Sequence, residues 1–333
     1  MNIQEKAEIW IEYFDKLLNT EEPRELIKKG NNENSEVEVE LTIEDVKKSV
    51  RNLKSNKVPG TDGIHLELMK YGGNKLLNRM YELVRQIWEE ERIPEEWKET
   101  IIVPIHKSGD RDSCENYGGI ALGNAAYKIL LNITLGKIKP YVEKVTGEYQ
   151  NGFRDGRSVI DSMFALKIIN KKLWEYNQRV QYLLIDFQKA YDSLHRDTLW
   201  ECMKEFKIPT KSINMCKTCV QKTRLVRIEG TLSSFFENKT GLKQGEPLSP
   251  VLFNLALQKV IQSIKMVPSG INIGKEQLNV SAYADDIALI WKNEIEIRKR
   301  FVEMENIARK FRLQINQEKT KYVIVERKNS FKK

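Results

Sequence analysis

The sequence predicts an α+β protein with strands and helices in irregular alternation, on three observations. Apolar residues recur at helical spacing in several segments; VQYLLIDF, residues 180 to 187, is an almost unbroken apolar run rich in strand formers; and NVSAY and IALIW read as the two arms of a hairpin around an acidic break. A chain of 333 residues, 41% hydrophobic, buries a real core as one large domain or two lobes.

In chain order, Ile3, Ala7, Trp10, Ile11, Phe14, Leu17 and Leu18 mark a short amphipathic helix, and the polar run GNNENSEVEVE, residues 30 to 40, reads as a linker. Thr42 and Asp45 form a capping-box pair ahead of a helix faced by Ile43, Val46, Val50 and Leu53, which stops at the turn SNKVPGTDG. Helix returns from about 74 to 91. TIIVPIHKSGD, residues 100 to 110, is a strand running into a basic loop, and a further helix covers about 124 to 135. Next comes QNGFRDGRSVID, with Ser158 and Asp161 as a second capping pair at the head of a helix reaching about Trp174. Arg154 and Arg157 therefore sit on a loop entering a helix N-terminus, where basic side chains and backbone amides can hold phosphate oxygens.

VQYLLIDF suits a strand buried on both faces and ends in Asp186. Beyond it come two helices, the alternating strand RLVRIEG, the loop GLKQGEPLSP and an apolar helix to about Lys265. The hairpin follows, with Asp285 and Asp286 at or beside its turn, then a helix from about 294 to 311 and a strand near 322 to 325.

Charge divides unevenly. Of 55 Lys and Arg and 47 Asp and Glu, residues 1 to 40 hold five bases and eleven acids, so the remainder carries 50 − 36 = +14. A basic body favours a polyanionic partner. No apolar run approaches the roughly 18 residues of a membrane span, and the start MNIQEKAEIW lacks a secretory pattern, which predicts an intracellular protein. Four cysteines are too few for a disulfide framework, and the CxxC of Cys216 and Cys219 falls in a helical stretch without a second ligand pair.

Acids beside a hairpin turn are accounted for by turn conformation alone. A third acid, Asp186, ending a separate buried strand adds a second account, because phosphoryl transfer draws carboxylates from different strands around divalent ions about 3.5–4 Å apart.

LLIDFQKAYDSL, GLKQGEPLSP, AYADD, NGFRDGRS and INQEKTKY stand in the order found in reverse transcriptases of non-LTR retrotransposons. HKSGDRDSCENYGGIAL, NAAYKIL and SNKVPGTDGI resemble their finger region and the segment before it. The resemblance covers about residues 50 to 325. It implies a right-hand architecture, a palm with an antiparallel sheet plus helical fingers, and RNA-directed DNA polymerase activity with two Mg2+ ions, Mn2+ being a possible substitute. Partners would be an RNA template, a DNA primer and dNTPs. Residues 1–40 would be an acidic leader and linker, 41–96 an N-terminal finger extension, and 97–333 fingers and palm without a thumb.

Carried over by resemblance, Asp186 and Asp285 bridge the metals, Asp286 is the less direct third carboxylate, and Phe187 lends a backbone carbonyl. Tyr191 packs under the nucleotide sugar, or is a core aromatic; its neighbour Asp192 is otherwise a helix-leading acid. Gln244 lines the floor of the nucleotide pocket and Gly245 lets a base approach, or both are loop material. Arg154 and Arg157 clamp the triphosphate, or lie on a solvated loop. Lys107 is a weaker phosphate candidate, and Lys319 stands near the leaving pyrophosphate or simply on the surface. Two departures stand out: Gly118 follows Tyr117 where the family usually carries Arg, removing a possible charge, and Glu246 replaces the commoner Asp. No endonuclease, RNase H or zinc-knuckle pattern is visible. The runner-up reading is a catalytically weak or inactive nucleic-acid-binding remnant.

Overall fold

The two capping boxes show how closely local chemistry sets the element boundaries. In the computed structural model, which describes residues 3–19, 39–228, 230–265, 271–273 and 276–327, Thr42 and Ser158 each accept from the backbone of the residue three on, and Asp45 and Asp161 reach back to the cap amides. The helices Ile43–Arg51 and Val159–Glu175 follow. Most of the linker read over residues 30 to 40 lies outside the described residues.

Among the described residues the strands are β1 (Glu99–His106), β2 (Tyr117–Leu122), β3 (Val180–Ile185), β4 (Lys222–Ile228), β5 (Thr231–Leu232), β6 (Phe236–Asn238), β7 (Ile271–Ile273), β8 (Glu276–Leu278), β9 (Val280–Tyr283), β10 (Asp286–Trp291) and β11 (Lys321–Val325). The chain forms two compact units, the first from the described parts of 1–22, 28–144 and 191–251, the second from those of 145–190 and 252–333.

In the first unit β1 is central to the sheet order β2-β1-β4-β5, with β6 also on β4. β1 pairs with β2 antiparallel, from Ile101 opposite Leu122 to His106 opposite Tyr117, and with β4 parallel. The helix Ile3–Leu18, read from sequence as a leader, is built into this sheet: Ala7, Phe14 and Leu18 pack with Ile102, Val226, Ile228 and Phe236. Its end is tied down as well, since Leu18 O accepts from both the amide and the hydroxyl of Thr240.

The helix expected over 124 to 135 runs from Ala125 to Val145, straight through Gly136 and Pro140. Proline costs roughly 3 kcal/mol in a helix interior. Ile138 and Val142 are buried on this continuation and offset that, at about 1.5–3 kcal/mol for each such side chain.

The second unit holds a four-stranded antiparallel sheet in the order β11-β3-β10-β9. Ile169 and Leu173 of the helix Val159–Glu175 pack with Val180, Tyr182, Ile271 and Ile290. Burial of β3 on both faces holds for Val180, Gln181 and Tyr182 but not for Leu184, which is exposed beside the edge strand β11 with its open Tyr322, Val323 and Ile324. Among the described residues, no helix is long and apolar enough to cross a membrane.

Because Phe14 is 3% exposed within the first unit's core, Phe14→Ala is expected to remove about 3–5 kcal/mol of unfolding free energy. Chemical denaturation followed by circular dichroism checks this, and an unmoved midpoint would show the helix to be dispensable to the fold.

Candidate active site

The pairing of β3 with β10 determines where the acids go. Ile287 stands opposite Ile185, so one further step of the same register sets Asp286, the first residue of β10, opposite Asp186, the first residue past β3. Opposite residues of an antiparallel pair project to the same face, with Cβ atoms about 4.5–5.5 Å apart. The electrostatics agree: partial burial first and the Asp186 carboxylate second push the Asp286 carboxyl above the ordinary Asp range, while Lys319 pulls it back.

Asp285 lies at the turn. Tyr283 pairs with Asp286, leaving Ala284 and Asp285 as the two connecting residues, and Ala284 takes φ 56°, a left-handed conformation that L side chains rarely adopt. The segment carrying Lys319 runs beside Asp186: Asn316 N donates to Asp186 O at 2.8 Å, Asp186 N donates to the Thr320 hydroxyl at 3.5 Å, and Lys319 N donates to Asn316 Oδ1 at 3.3 Å. Gln188 N donates to Gln314 O on the far side of Phe187. The alternation of an antiparallel ladder therefore turns the Phe187 carbonyl away from that segment.

Arg154 is bound into its own loop. Its Nη1 donates to Gly147 O at 3.0 Å and Gln150 O at 3.2 Å, Nη2 lies 3.9 Å from Glu148, and the side chain is 7% exposed. A guanidinium so committed ties together residues 147–150. Arg157 is more open, pairing with Glu148 and donating to Asn151 Oδ1 at 3.3 Å.

Tyr191, Gln244, Gly245 and Lys107 belong to the first unit. Gln244 is held at both ends: its carbonyl accepts from Ala121 N at 2.9 Å and its Nε2 donates to Asp192 Oδ2 at 2.9 Å. The partly buried Tyr191 accepts at its carbonyl from Leu242 N, and Gly245 takes φ +97°, which only glycine adopts without strain. Beneath this loop Lys243, almost wholly buried, lies 3.5 Å from Glu246 and 3.3 Å from the Thr100 hydroxyl. The Tyr127 hydroxyl donates to Cys219 O at 2.7 Å and to Glu246 at 3.3 Å, and burial pushes its pKa far up.

Gly118 proves not to empty the neighbourhood of charge. A Cβ at 118 would collide with Lys107 Cε and come within 3.0 Å of its Nζ and 3.5 Å of Gln244 Oε1. The Lys107 ammonium thus lies across the space that a larger residue at 118 would fill.

Sequence reading passed over Asn316 and Thr320, whose only signal was the INQEKTKY block, and Gln150, which takes up the turn's backbone as described below. Among the described residues, no three His, Cys, Asp or Glu side chains are preassembled to hold a metal ion. Magnesium does not require such a cage, since it takes one or two carboxylates and fills its octahedron with water and substrate phosphates. The hard donors Asp186 and Asp286, opposite one another in the β3–β10 register, suit that ion.

A family model described as reverse transcriptase (RNA-dependent DNA polymerase) matches residues 105–332. The chain is 22% identical over 266 residues to the Transposon TX1 uncharacterized 149 kDa protein of Xenopus laevis, covering 79% of this chain and 20% of that protein. It is 24% identical over 231 residues to the retrovirus-related Pol polyprotein from type-1 retrotransposable element R2 of Popillia japonica, covering 68% of this chain and 32% of that one. The chain thus spans a minor part of the length of both relatives. Among solved structures, an apo telomerase from Candida tropicalis truncated from its C-terminal domain aligns with TM-score 0.55 at 15% identity, over 76% of this chain and 56% of that one, which shows a shared right-hand polymerase-like α+β fold. With most of its length inside the family match, the chain belongs to the reverse transcriptase (RNA-dependent DNA polymerase) family.

Proposed function

We propose that the chain is the polymerase core of a non-LTR retrotransposon reverse transcriptase, extending a DNA primer with dNTPs on an RNA template inside the cell. The observation that carries this is the β3–β10 register, which sets Asp186 and Asp286 face to face at the end of the sheet beside Lys319. Relatives named for retrotransposable elements and a body of charge +14 support the nucleic-acid partner.

In the reaction the primer 3′-hydroxyl attacks the α-phosphate of a dNTP and pyrophosphate leaves. Two magnesium ions, or manganese in their place, supply nucleophile activation and neutralise phosphate charge when bound. Asp186 and Asp285 would hold them, with Asp286 beside and the Phe187 carbonyl adding an oxygen. Lys319, exposed and charged, steadies the developing pyrophosphate; Lys107 and Arg157 offer cations to incoming phosphates. Tyr191 underlies the sugar, and Gln244, fixed by Asp192, forms the pocket floor with Gly245.

In primer extension on an RNA template with magnesium, Asp186→Asn and Asp285→Ala are each expected to lower kcat/KM by at least about 100-fold while salt-sensitive primer–template binding persists. Extension indifferent to Asp285→Ala would rule the assignment out, and binding without extension by the unsubstituted protein would favour a non-polymerising remnant. Asp286 supplies a pH prediction. Its raised pKa keeps the carboxyl protonated to higher pH than an ordinary Asp, and protons compete with cations for it. The magnesium concentration for half-maximal activity should therefore rise as pH falls, and Asp186→Asn should bring the Asp286 pKa down in an NMR titration.

A further inference from the structure

The acidic turn needs something to hold Ala284 left-handed, and the loop before the helix Val159–Glu175 supplies it. Residues 149–151 add a parallel edge to β9: Ala282 N donates to Tyr149 O at 2.8 Å and Asn151 N to Ala282 O at 2.9 Å. Two residues further along, the backbone ladder gives way to a side chain. Gln150, 1% exposed, accepts at Oε1 from Ala284 N at 2.9 Å and Gly152 N at 2.8 Å, and donates from Nε2 to Ala284 O at 3.1 Å. Its carboxamide therefore acts as a surrogate peptide group, engaging both backbone polar groups of the strained residue. Gly152 is required for this approach, because a Cβ there would overlap the Ala284 amide nitrogen.

Gln150 is itself anchored. Its carbonyl accepts from Arg154 Nη1 at 3.2 Å. The helix Ser249–Lys265 secures both sides of the loop, with Asn254 Nδ2 donating to Gly152 O at 2.9 Å and Gln258 Oε1 accepting from Gly147 N and the Tyr149 hydroxyl. Rigid helix, loop, carboxamide and turn thus form one continuous chain of hydrogen bonds ending one residue before Asp285.

We propose that Gln150 is a positioning residue, which through Ala284 fixes the direction of Asp285 and Asp286 for cation and primer-end alignment. The proposal rests on the polymerase reading for its catalytic consequence, but not for its geometry. A single left-handed non-glycine residue is costly enough to relax when its partners go, and a carboxylate turned away from its working geometry loses rate more than nucleotide affinity.

The test uses the full chain carrying Gln150→Ala, Gln150→Glu, Ala284→Gly and the double change Gln150→Ala with Ala284→Gly, read by amide hydrogen exchange and by primer extension. Gln150→Glu keeps the two acceptor bonds at the native side-chain length and replaces the donor to Ala284 O with a second oxygen, so it separates the acceptor bonds from the donor. Exchange at the Ala284 and Gly152 amides is expected to quicken about tenfold or more in Gln150→Ala and less in Gln150→Glu. The kcat should fall about tenfold or more with the dNTP KM within about threefold, and Ala284→Gly, which accepts the left-handed conformation unaided, should recover much of that loss in the double variant. A general structural role would show no such rescue and would sink the proposal, as would unchanged exchange at Ala284 in both Gln150 variants. If the unsubstituted protein extends no primer, the exchange arm still decides whether Gln150 holds the turn, and only the polymerase reading fails.

Discussion

The strand register between β3 and β10 is the constraint on which the candidate site depends. Side chains alternate with a period of two, so a slip of one residue would take Asp286 off the face it shares with Asp186 and exchange Ile287 and Leu289 with Ala288 and Ile290 between the two buried faces of β10. Apolar packing enforces the register: Ile185, Ile287, Leu289, Ile290 and Trp291 are buried, each stabilising by about 1.5–3 kcal/mol. Repulsion between two carboxylates at the solvent-facing end of the sheet is small beside that sum. The sheet can therefore hold the two acids together, and partial burial first and the Asp186 charge second raise the Asp286 pKa.

Both units stabilise a glycine-containing loop with buried polar groups beneath it. In the second unit Gln150 and Arg154 occupy that place; in the first, Lys243, Glu246, Tyr127 and Thr100 lie under Gln244, and Arg196 donates to the carbonyls of Asn238, Thr240 and Gly241. Buried ion pairs contribute little net stability, since desolvation cancels most of the attraction, but they define a single arrangement. For Gln244 that arrangement is fixed at both carbonyl and side chain.

Features set by neighbours in sequence were legible: both capping boxes, the acidic hairpin and the helix Glu294–Lys310 lie where spacing put them. Features set by distant partners were not. The helix that starts at Ala125 reads only to about 135 in the sequence, because nothing local announces the burial of Ile138 and Val142 on either side of Pro140. Residues 3 to 18 read as a leader because their sheet partners at Ile102, Val226 and Phe236 lie far along the chain. Nothing in the residues beside Arg154 announces that its guanidinium donates to two carbonyls of its own loop. Gln150, between a tyrosine and an asparagine, carries no mark at all of its bond to a residue 134 positions away.

Gly118 is a further position whose meaning depends on a distant partner. Taken position by position, a glycine following Tyr117 deletes a cation from the finger region. In space, the side chain of Lys107, one strand away across the β1–β2 hairpin, lies over the vacated position with its ammonium near Gln244. The glycine makes room for the lysine, because any Cβ at 118 would displace it. A phosphate approaching that face would meet a flexible ammonium in place of a planar guanidinium, keeping the charge while giving up two-pronged hydrogen bonding. Charge is thus retained by geometry where the residue type is lost, and the departure at 118 by itself gives no ground for reading this chain as inert.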